Sequence, residues 1–288
     1  MEWISHSNIL IVGLGLMGGS YAKALTRLGF HVEAVDKDPE AIAFALENGL
    51  IAEGSDHPDP AVIAGADAVI FALYPAVFKA WIAKNAAHFK ENALFTNVTG
   101  VKTGVVYDVQ RMLKETRPDV EFIASHPMAG REVYGVKNSD DRIFHGANFI
   151  VTPTAANTPQ AVEWCKSLGK ILGFARISTL SPEEHDEMIG FVSQLTHCIA
   201  VALMTCTDNR HLVDYTGDSF RDLTRIARIN ENMWSELFVL NKKPLLEQMD
   251  TFLAEMTSLR DLLSSDDVEG LKQKMRLSTV RRAYFDKP

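Results

Sequence analysis

The side chains of this chain best placed to do chemistry are one histidine, His126, and three arginines, Arg221, Arg225 and Arg228. A histidine titrates near neutrality and can take or give a proton. At about 100° per residue the arginines fall within roughly 60° of one another on a helix, forming a stripe able to grip carboxylates in bidentate fashion. Each has a plainer reading, a structural histidine and a solvated helix face. Context favours chemistry for His126, because Ser125-His126-Pro127-Met128-Ala129-Gly130 follows an apolar run and the proline turns the backbone out of the sheet at once.

What these groups would serve is set near the amino terminus. The apolar run 8–12 leads straight into Gly13-Leu14-Gly15-Leu16-Met17-Gly18 and then into a helical pattern. Gly13 permits a tight turn, Gly15 lets the backbone approach a pyrophosphate, and Gly18 lets the helix pack on its strand with its first amides facing the phosphates. A second strand ends in Asp36, 18 residues beyond Gly18, placed to accept hydrogen bonds from ribose hydroxyls. A carboxylate there repels a 2′-phosphate, so NAD is expected in preference to NADP. Lys37 beside it reads as a surface lysine.

Further candidates leave other strand ends or sit on helices. Thr96-Asn97-Val98-Thr99-Gly100-Val101-Lys102 is either a helix cap or a polar rim to the site. Gln194 and His197 lie three apart and share a helical face. There is no His-Glu-x-x-His, and His185-Asp186 alone makes no metal site, so no metal is expected.

The elements that must carry these residues alternate. Strand signals near 8–12, 31–36, 68–73, 93–98, 121–125, 147–152 and 174–178 are separated mostly by helical patterns, which predicts an α/β Rossmann-type, doubly wound, mostly parallel sheet. After residue 178 the strand signal stops. Ser181-Pro182-Glu183-Glu184 supplies an N-cap, a first-turn proline and a capping-box glutamate. The reading is therefore a nucleotide-binding domain over 1–179 and an all-α helical domain over 180–288, with helices near 219–229, 231–240, 242–264 and 267–280. Leu245, Leu246, Met249, Phe252, Leu253, Met256, Leu259, Leu262 and Leu263 recur at helical spacing, a surplus of apolar surface that predicts a homodimer through these helices.

Length and composition fit that reading. The 288 residues, 47% hydrophobic and 23% charged, suffice for a large core in two domains. A net charge of −8 without a basic run gives nucleic acid no purchase, so a small-molecule ligand is expected, with local arginines attracting any anion. No signal peptide is recognisable and no apolar run approaches the length that crosses a bilayer, so no membrane association and cytoplasmic residence are expected. Three cysteines without a Cys-x-x-Cys argue against disulfides or structural zinc.

Taken together, the glycine turn with Gly-Leu-Gly-Leu-Met-Gly-Gly-Ser, His126-Pro-Met-Ala-Gly130, Ser181-Pro-Glu-Glu-His-Asp186, Ser-x-Leu-x-His197, and Arg221-Asp-x-Thr-Arg-Ile-Ala227 with Met233-Trp234 resemble the prephenate and arogenate dehydrogenases of tyrosine biosynthesis over nearly the whole chain. The resemblance implies that His126 is catalytic and that His197 and Arg225 bind substrate, with Arg221, Gly130 and Thr99 beside them. It implies that Asn97 helps orient a nicotinamide. The expected reaction is NAD-dependent oxidation and decarboxylation of prephenate, with arogenate the alternative. The chain has no room for an appended mutase or regulatory domain, so a monofunctional enzyme is expected.

Departures from the family pattern fall at substrate-facing positions. Gln194 and Thr196 stand where Ser-His-Leu-Pro-His is frequent, and Gly100 replaces a serine, with Thr99 as its stand-in. Glu132 is kept. A β-hydroxyacid dehydrogenase would place a catalytic lysine on the first long helix after Ser181, and none occurs through Thr207. A nucleotide sensor without turnover would have no use for His126 together with Arg225.

Overall fold

The computed structural model describes Trp3 and residues 7–286. Among the described residues nine strands and twelve α-helices follow in order, beginning with β1 (Asn8–Val12), α1 (Leu16–Arg27), β2 (His31–Val35), α2 (Pro39–Glu47), β3 (Glu53–Ser55), α3 (Pro60–Gly65) and β4 (Ala68–Phe71). They continue with α4 (Pro75–Asn85), β5 (Leu94–Asn97), α5 (Thr103–Thr116), β6 (Glu121–Phe122), β7 (Ala124–Met128), β8 (Asn148–Thr152), α6 (Pro159–Ile171) and β9 (Arg176–Thr179). Six strands form one parallel sheet in the order β3-β2-β1-β4-β5-β6, the doubly wound arrangement. Period-two alternation splits β1 between two cores: Ile9 and Ile11 pack on one face with Tyr21 and Leu25, Leu10 and Val12 on the other with Phe71 and Phe95. All four β1 side chains are at most 2% exposed, which is why parallel strands read as continuous apolar runs.

Two strand expectations are corrected. The run 121–125 divides at Ile123, so that β7 leaves the parallel sheet and pairs antiparallel with β8, which pairs parallel with β9 in a separate three-stranded sheet. The short edge strand β3, Glu-Gly-Ser, carries no apolar alternation to announce it.

After β9 the chain is helical. The Ser181 capping box is present, its hydroxyl accepting from the Glu184 amide while the Glu184 carboxylate accepts from the Ser181 amide. It opens α7 (Pro182–Ile189), which runs through a π-helical turn, Gly190–Leu195, into α8 (Thr196–Thr205). Then come α9 (Asp218–Thr224), α10 (Glu231–Leu240), α11 (Lys242–Ser264) and α12 (Val268–Arg282). The stretch Pro182–Thr205 is, by length and composition, apolar enough to span a membrane, which corrects the expectation that no run approaches that length. It carries buried His185, Asp186 and Gln194, and a bilayer would leave those groups in hydrocarbon at high cost.

By compactness the chain divides after Asn241, into a unit holding both sheets and α7–α10 and a second unit of α11 and α12. The sequence reading places its boundary at 179/180 instead. The difference arises because α7–α10 pack with the sheets as one body and the polarity pattern alone registers only the change from strand to helix.

Candidate active site

The nucleotide end is built by backbone. Gly13 has φ +97°, and a Cβ there would stand 2.6 Å from the Ala72 carbonyl oxygen. A Cβ on Gly18 would collide with the Gly13 carbonyl oxygen, while nothing lies within 4 Å of the corresponding point on Gly15. The turn is thus closed on its sheet side and open above Gly15, where α1 presents amides with no side-chain cap. Asp36 is fixed beside it, one carboxylate oxygen accepting from the Leu14 amide at 2.5 Å and the other from the Asp38 amide at 2.9 Å. Leu14 and Leu16 bury their side chains, so only their backbone can serve a ligand. These features fit a dinucleotide.

The other end is built by side chains around a cavity of about 610 Å³. Met17, from the first turn of α1, and His126, from β7, line it together, so the cavity joins the glycine turn to the histidine. His197, Arg225, Arg228 and Gly130 line it too. His197 stacks on Trp234, ring centroids 3.7 Å apart, and its Nδ1 donates to the Ser193 carbonyl at 2.8 Å.

The arginine stripe does not survive as a helix. α9 ends at Thr224, Arg225–Ala227 is a 3₁₀ turn, and Arg228 is extended. Arg221 therefore lies off the cavity, 3.5 Å from Asp218. Arg225 instead reaches Glu132, 93 positions away in sequence, at 2.5 Å. Burial raises the Glu132 carboxyl, but the Arg225 contact outweighs it and holds the group below its ordinary range. Among the described residues Arg228 forms no ion pair.

Thr99 and Asn97 likewise lie off the cavity. Both are buried, the Asn97 amide donating to the Thr99 hydroxyl at 2.8 Å and that hydroxyl to the Val101 carbonyl at 3.0 Å. They belong to a network centred on Lys102, whose Nζ donates to the carbonyls of Thr99 at 2.7 Å and Ser125 at 2.6 Å. Burial pulls the Lys102 ammonium down to about 7. Gln194, where the family pattern has histidine, is a strut: it donates to the Leu237 carbonyl and accepts from Asn241. A Cβ on Gly100 would meet Leu237 at 3.4 Å and His126 at 4.0 Å.

The sequence assigns no role to Lys102, and it offers His185-Asp186 as a rejected metal pair and as part of the family pattern, with no link to His126. His126 Nδ1 lies 2.9 Å from His185 Nε2, and His185 Nδ1 lies 2.8 Å from Asp186 Oδ1. Burial, then His185 and Lys102, hold His126 well below 6.5, so its imidazole is neutral at pH 7. The available signal was His185-Asp186 on a helix opened by a capping box, a buried acid–base pair needing a partner.

Comparison with known proteins agrees with this geometry. Residues 21–177 match the family description "Prephenate dehydrogenase, nucleotide-binding domain", and residues 181–277 match "Prephenate dehydrogenase, dimerization domain". The chain belongs to the prephenate dehydrogenase family. It is 30% identical to the prephenate dehydrogenase of Bacillus subtilis over 272 residues, 91% of this chain and 72% of that one. It is 28% identical to the cyclohexadienyl dehydrogenase of Zymomonas mobilis, covering 96% and 94% of the two chains. The crystal structure of prephenate dehydrogenase from Aquifex aeolicus, solved with hydroxyphenyl propionate and NAD+, superposes with a TM-score of 0.88 at 31% identity, covering 99% of this chain and all of that one. This chain is thus an oxidoreductase of that family with an NAD-binding Rossmann domain.

Proposed function

We propose that the chain oxidises prephenate with NAD, with loss of carbon dioxide, to 4-hydroxyphenylpyruvate. The observation that carries the reading is a neutral histidine, His126, facing one cavity with Met17 of the nucleotide turn on one side and Arg225 and Arg228 on the other. Bound NAD supplies the hydride acceptor.

The residues divide the remaining work. The Gly13–Gly18 turn and Asp36 hold the dinucleotide through backbone amides and a fixed carboxylate. His126 takes the proton of the ring hydroxyl as that carbon is oxidised. Loss of carbon dioxide then aromatises the ring and leaves the oxygen as a phenolate, to which His126 returns the same proton. Prephenate and NAD+ become product, carbon dioxide and NADH with no net proton, so the buried base needs no exit path to solvent. Such acid–base help is typically worth ~10²–10⁴ in rate. Arg225 and Arg228 offer cations for the two substrate carboxylates, Arg225 with several guanidinium N–H groups beyond the one held by Glu132.

A homodimer is supported by the second unit, where Leu246, Leu253, Met256 and Leu263 of α11 are exposed within a segment matching a dimerization domain. The test is NADH formation with prephenate and with arogenate, each with NAD and NADP. Turnover of prephenate with NAD is expected. Turnover of arogenate alone would move the assignment within the family, and turnover of neither would overturn it.

A further inference from the structure

We propose that His185 and Asp186 are positioning residues that fix His126 in the tautomer bearing its proton on Nδ1, so that the bare Nε2 is the face it turns to the substrate. The inference rests on the reading of His126 as the base and says which nitrogen acts, and why.

The assignment follows by passing hydrogen-bond roles inward from the acid. Asp186 is met by three donors and one ring nitrogen: Oδ1 by the Lys102 amide at 2.8 Å and by His185 Nδ1 at 2.8 Å, Oδ2 by the Thr103 amide at 2.8 Å and the Thr103 hydroxyl at 2.6 Å. The amides and the hydroxyl hold both oxygens, and with His185 they outweigh burial and keep the carboxyl below its ordinary range, so the group is a carboxylate. A carboxylate cannot donate. His185 Nδ1 must therefore carry a proton.

His185 is fully buried, and burial with the nearby Lys102 disfavours its charged form despite Asp186. A neutral imidazole has one ring proton, already placed on Nδ1, so His185 Nε2 is an acceptor. The group facing it at 2.9 Å is His126 Nδ1. Two lone pairs cannot face each other at that distance, so His126 Nδ1 donates. His126, also neutral, then has a free lone pair on Nε2.

The dyad is itself held rigidly. Asp186 receives the first amides of α5 and so locks α7 to the start of that helix, while Lys102, one residue earlier, grips the Ser125 carbonyl immediately before His126. Backbone and ring of His126 are thus fixed from two directions. Without an acceptor at His185, the buried Nδ1–H would lose its partner, and the tautomer with Nε2–H, useless as a base, would become the stable one.

The experiment uses nitrogen-15 NMR of the histidine rings in the intact enzyme, together with steady-state rates for His185→Leu and His185→Gln. Asp186 is left unmutated because its loss would also uncap α5. In the native protein the spectrum should give protonated Nδ1 and bare Nε2 at His126. His185→Leu should reverse this and lower kcat by about 10–100-fold with the KM for prephenate within threefold. His185→Gln, whose amide oxygen can replace the acceptor, should restore the native tautomer and most of the rate. A native His126 carrying its proton on Nε2, or a folded His185→Leu enzyme with kcat within twofold, overturns the proposal. Should His185→Leu not fold, the native spectrum and His185→Gln decide. Because the spectrum needs no substrate, failure to turn over prephenate would count against the reaction and not against the tautomer.

Discussion

At the nucleotide end, Gly13, Gly15, Gly18 and Asp36 lie within one strand–helix–strand unit and offer a ligand backbone amides, a tight turn and one carboxylate pinned by the Leu14 amide. At the substrate end, the working groups are side chains from β7, the loop after it, α7, the π-helical turn, α8 and the 3₁₀ turn after α9. Glu132 meets Arg225 across 93 positions and Lys102 meets Asp186 across 84. A backbone site is set by local geometry and is hard to retune. A side-chain site assembled across the fold can change its substrate one residue at a time, which is where this chain departs from its family pattern.

The largest effect should come from the substrate end. His126→Asn is expected to keep the fold and NAD affinity while lowering kcat by roughly 10²–10⁴, because only proton transfer is removed. Since burial, His185 and Lys102 hold the His126 pKa well below 6.5, the base is protonated only in acid. The rate of the native enzyme should therefore be level through neutrality and fall only at pH well under 6.5. A folded asparagine variant with near-native turnover, or an acid limb centred at 6.5 or above, would remove His126 from the chemistry.

Arg225→Ala comes next. Loss of a charge-assisted contact to a substrate carboxylate should weaken prephenate binding by ~2–4 kcal/mol and leave NAD affinity alone. The Glu132 pair is exposed, and such pairs contribute at most ~1 kcal/mol, so Tm should hardly move. A fall in Tm with KM within twofold, ~0.4 kcal/mol, would make Arg225 structural and pass its role to Arg228.

The same contrast explains what was legible in the sequence. The glycine turn, Asp36, the apolar run of β1 and the Ser181 capping box are local, and each is present as the sequence announces it. His126 lines the cavity, and a strand-end histidine before proline is also a local signal. Arg221 parts from Arg225 and Arg228 because the helical spacing that joins them needs a helix that in fact ends at Thr224. Thr99 and Asn97 face inward, bonded to each other and to the Val101 carbonyl within their own strand-end loop, and residue types alone do not say which way such a loop turns its side chains. His185-Asp186 was legible as a pair, but its partner 59 positions away was not.

At the nucleotide end the sharpest probe is cofactor choice. NAD should be preferred to NADP by at least tenfold, about 1.4 kcal/mol, and Asp36→Ser should shrink that ratio. Asp36 also accepts from the Leu14 and Asp38 amides, so the substitution will loosen the turn for both cofactors. The ratio, not the absolute affinity, is the measurement, and an unchanged ratio would show that the acid acts only on its own backbone.

The smallest expected effect tests whether the substrate end tolerates retuning. Gly100 has ordinary backbone geometry, and a Cβ there would touch only the Leu237 methyls at 3.4 and 3.7 Å and His126 at 4.0 Å. Gly100→Ser should therefore fold with an unchanged Tm. Its hydroxyl would enter the cavity beside the base, where a neutral hydrogen bond to the substrate hydroxyl is worth about 0.5–1.5 kcal/mol, so kcat/KM for prephenate should rise by roughly 2–10-fold. Thr99 cannot supply that bond, because its hydroxyl is already committed to Asn97 and the Val101 carbonyl. A fall of more than tenfold in a folded variant would mean that the space over Gly100 is occupied by the substrate ring, placing the substrate against Leu237. By contrast Gly18→Ala, with its Cβ driven into the Gly13 carbonyl, should lose NAD binding outright, and equal tolerance at positions 18 and 100 would break the distinction between the two ends.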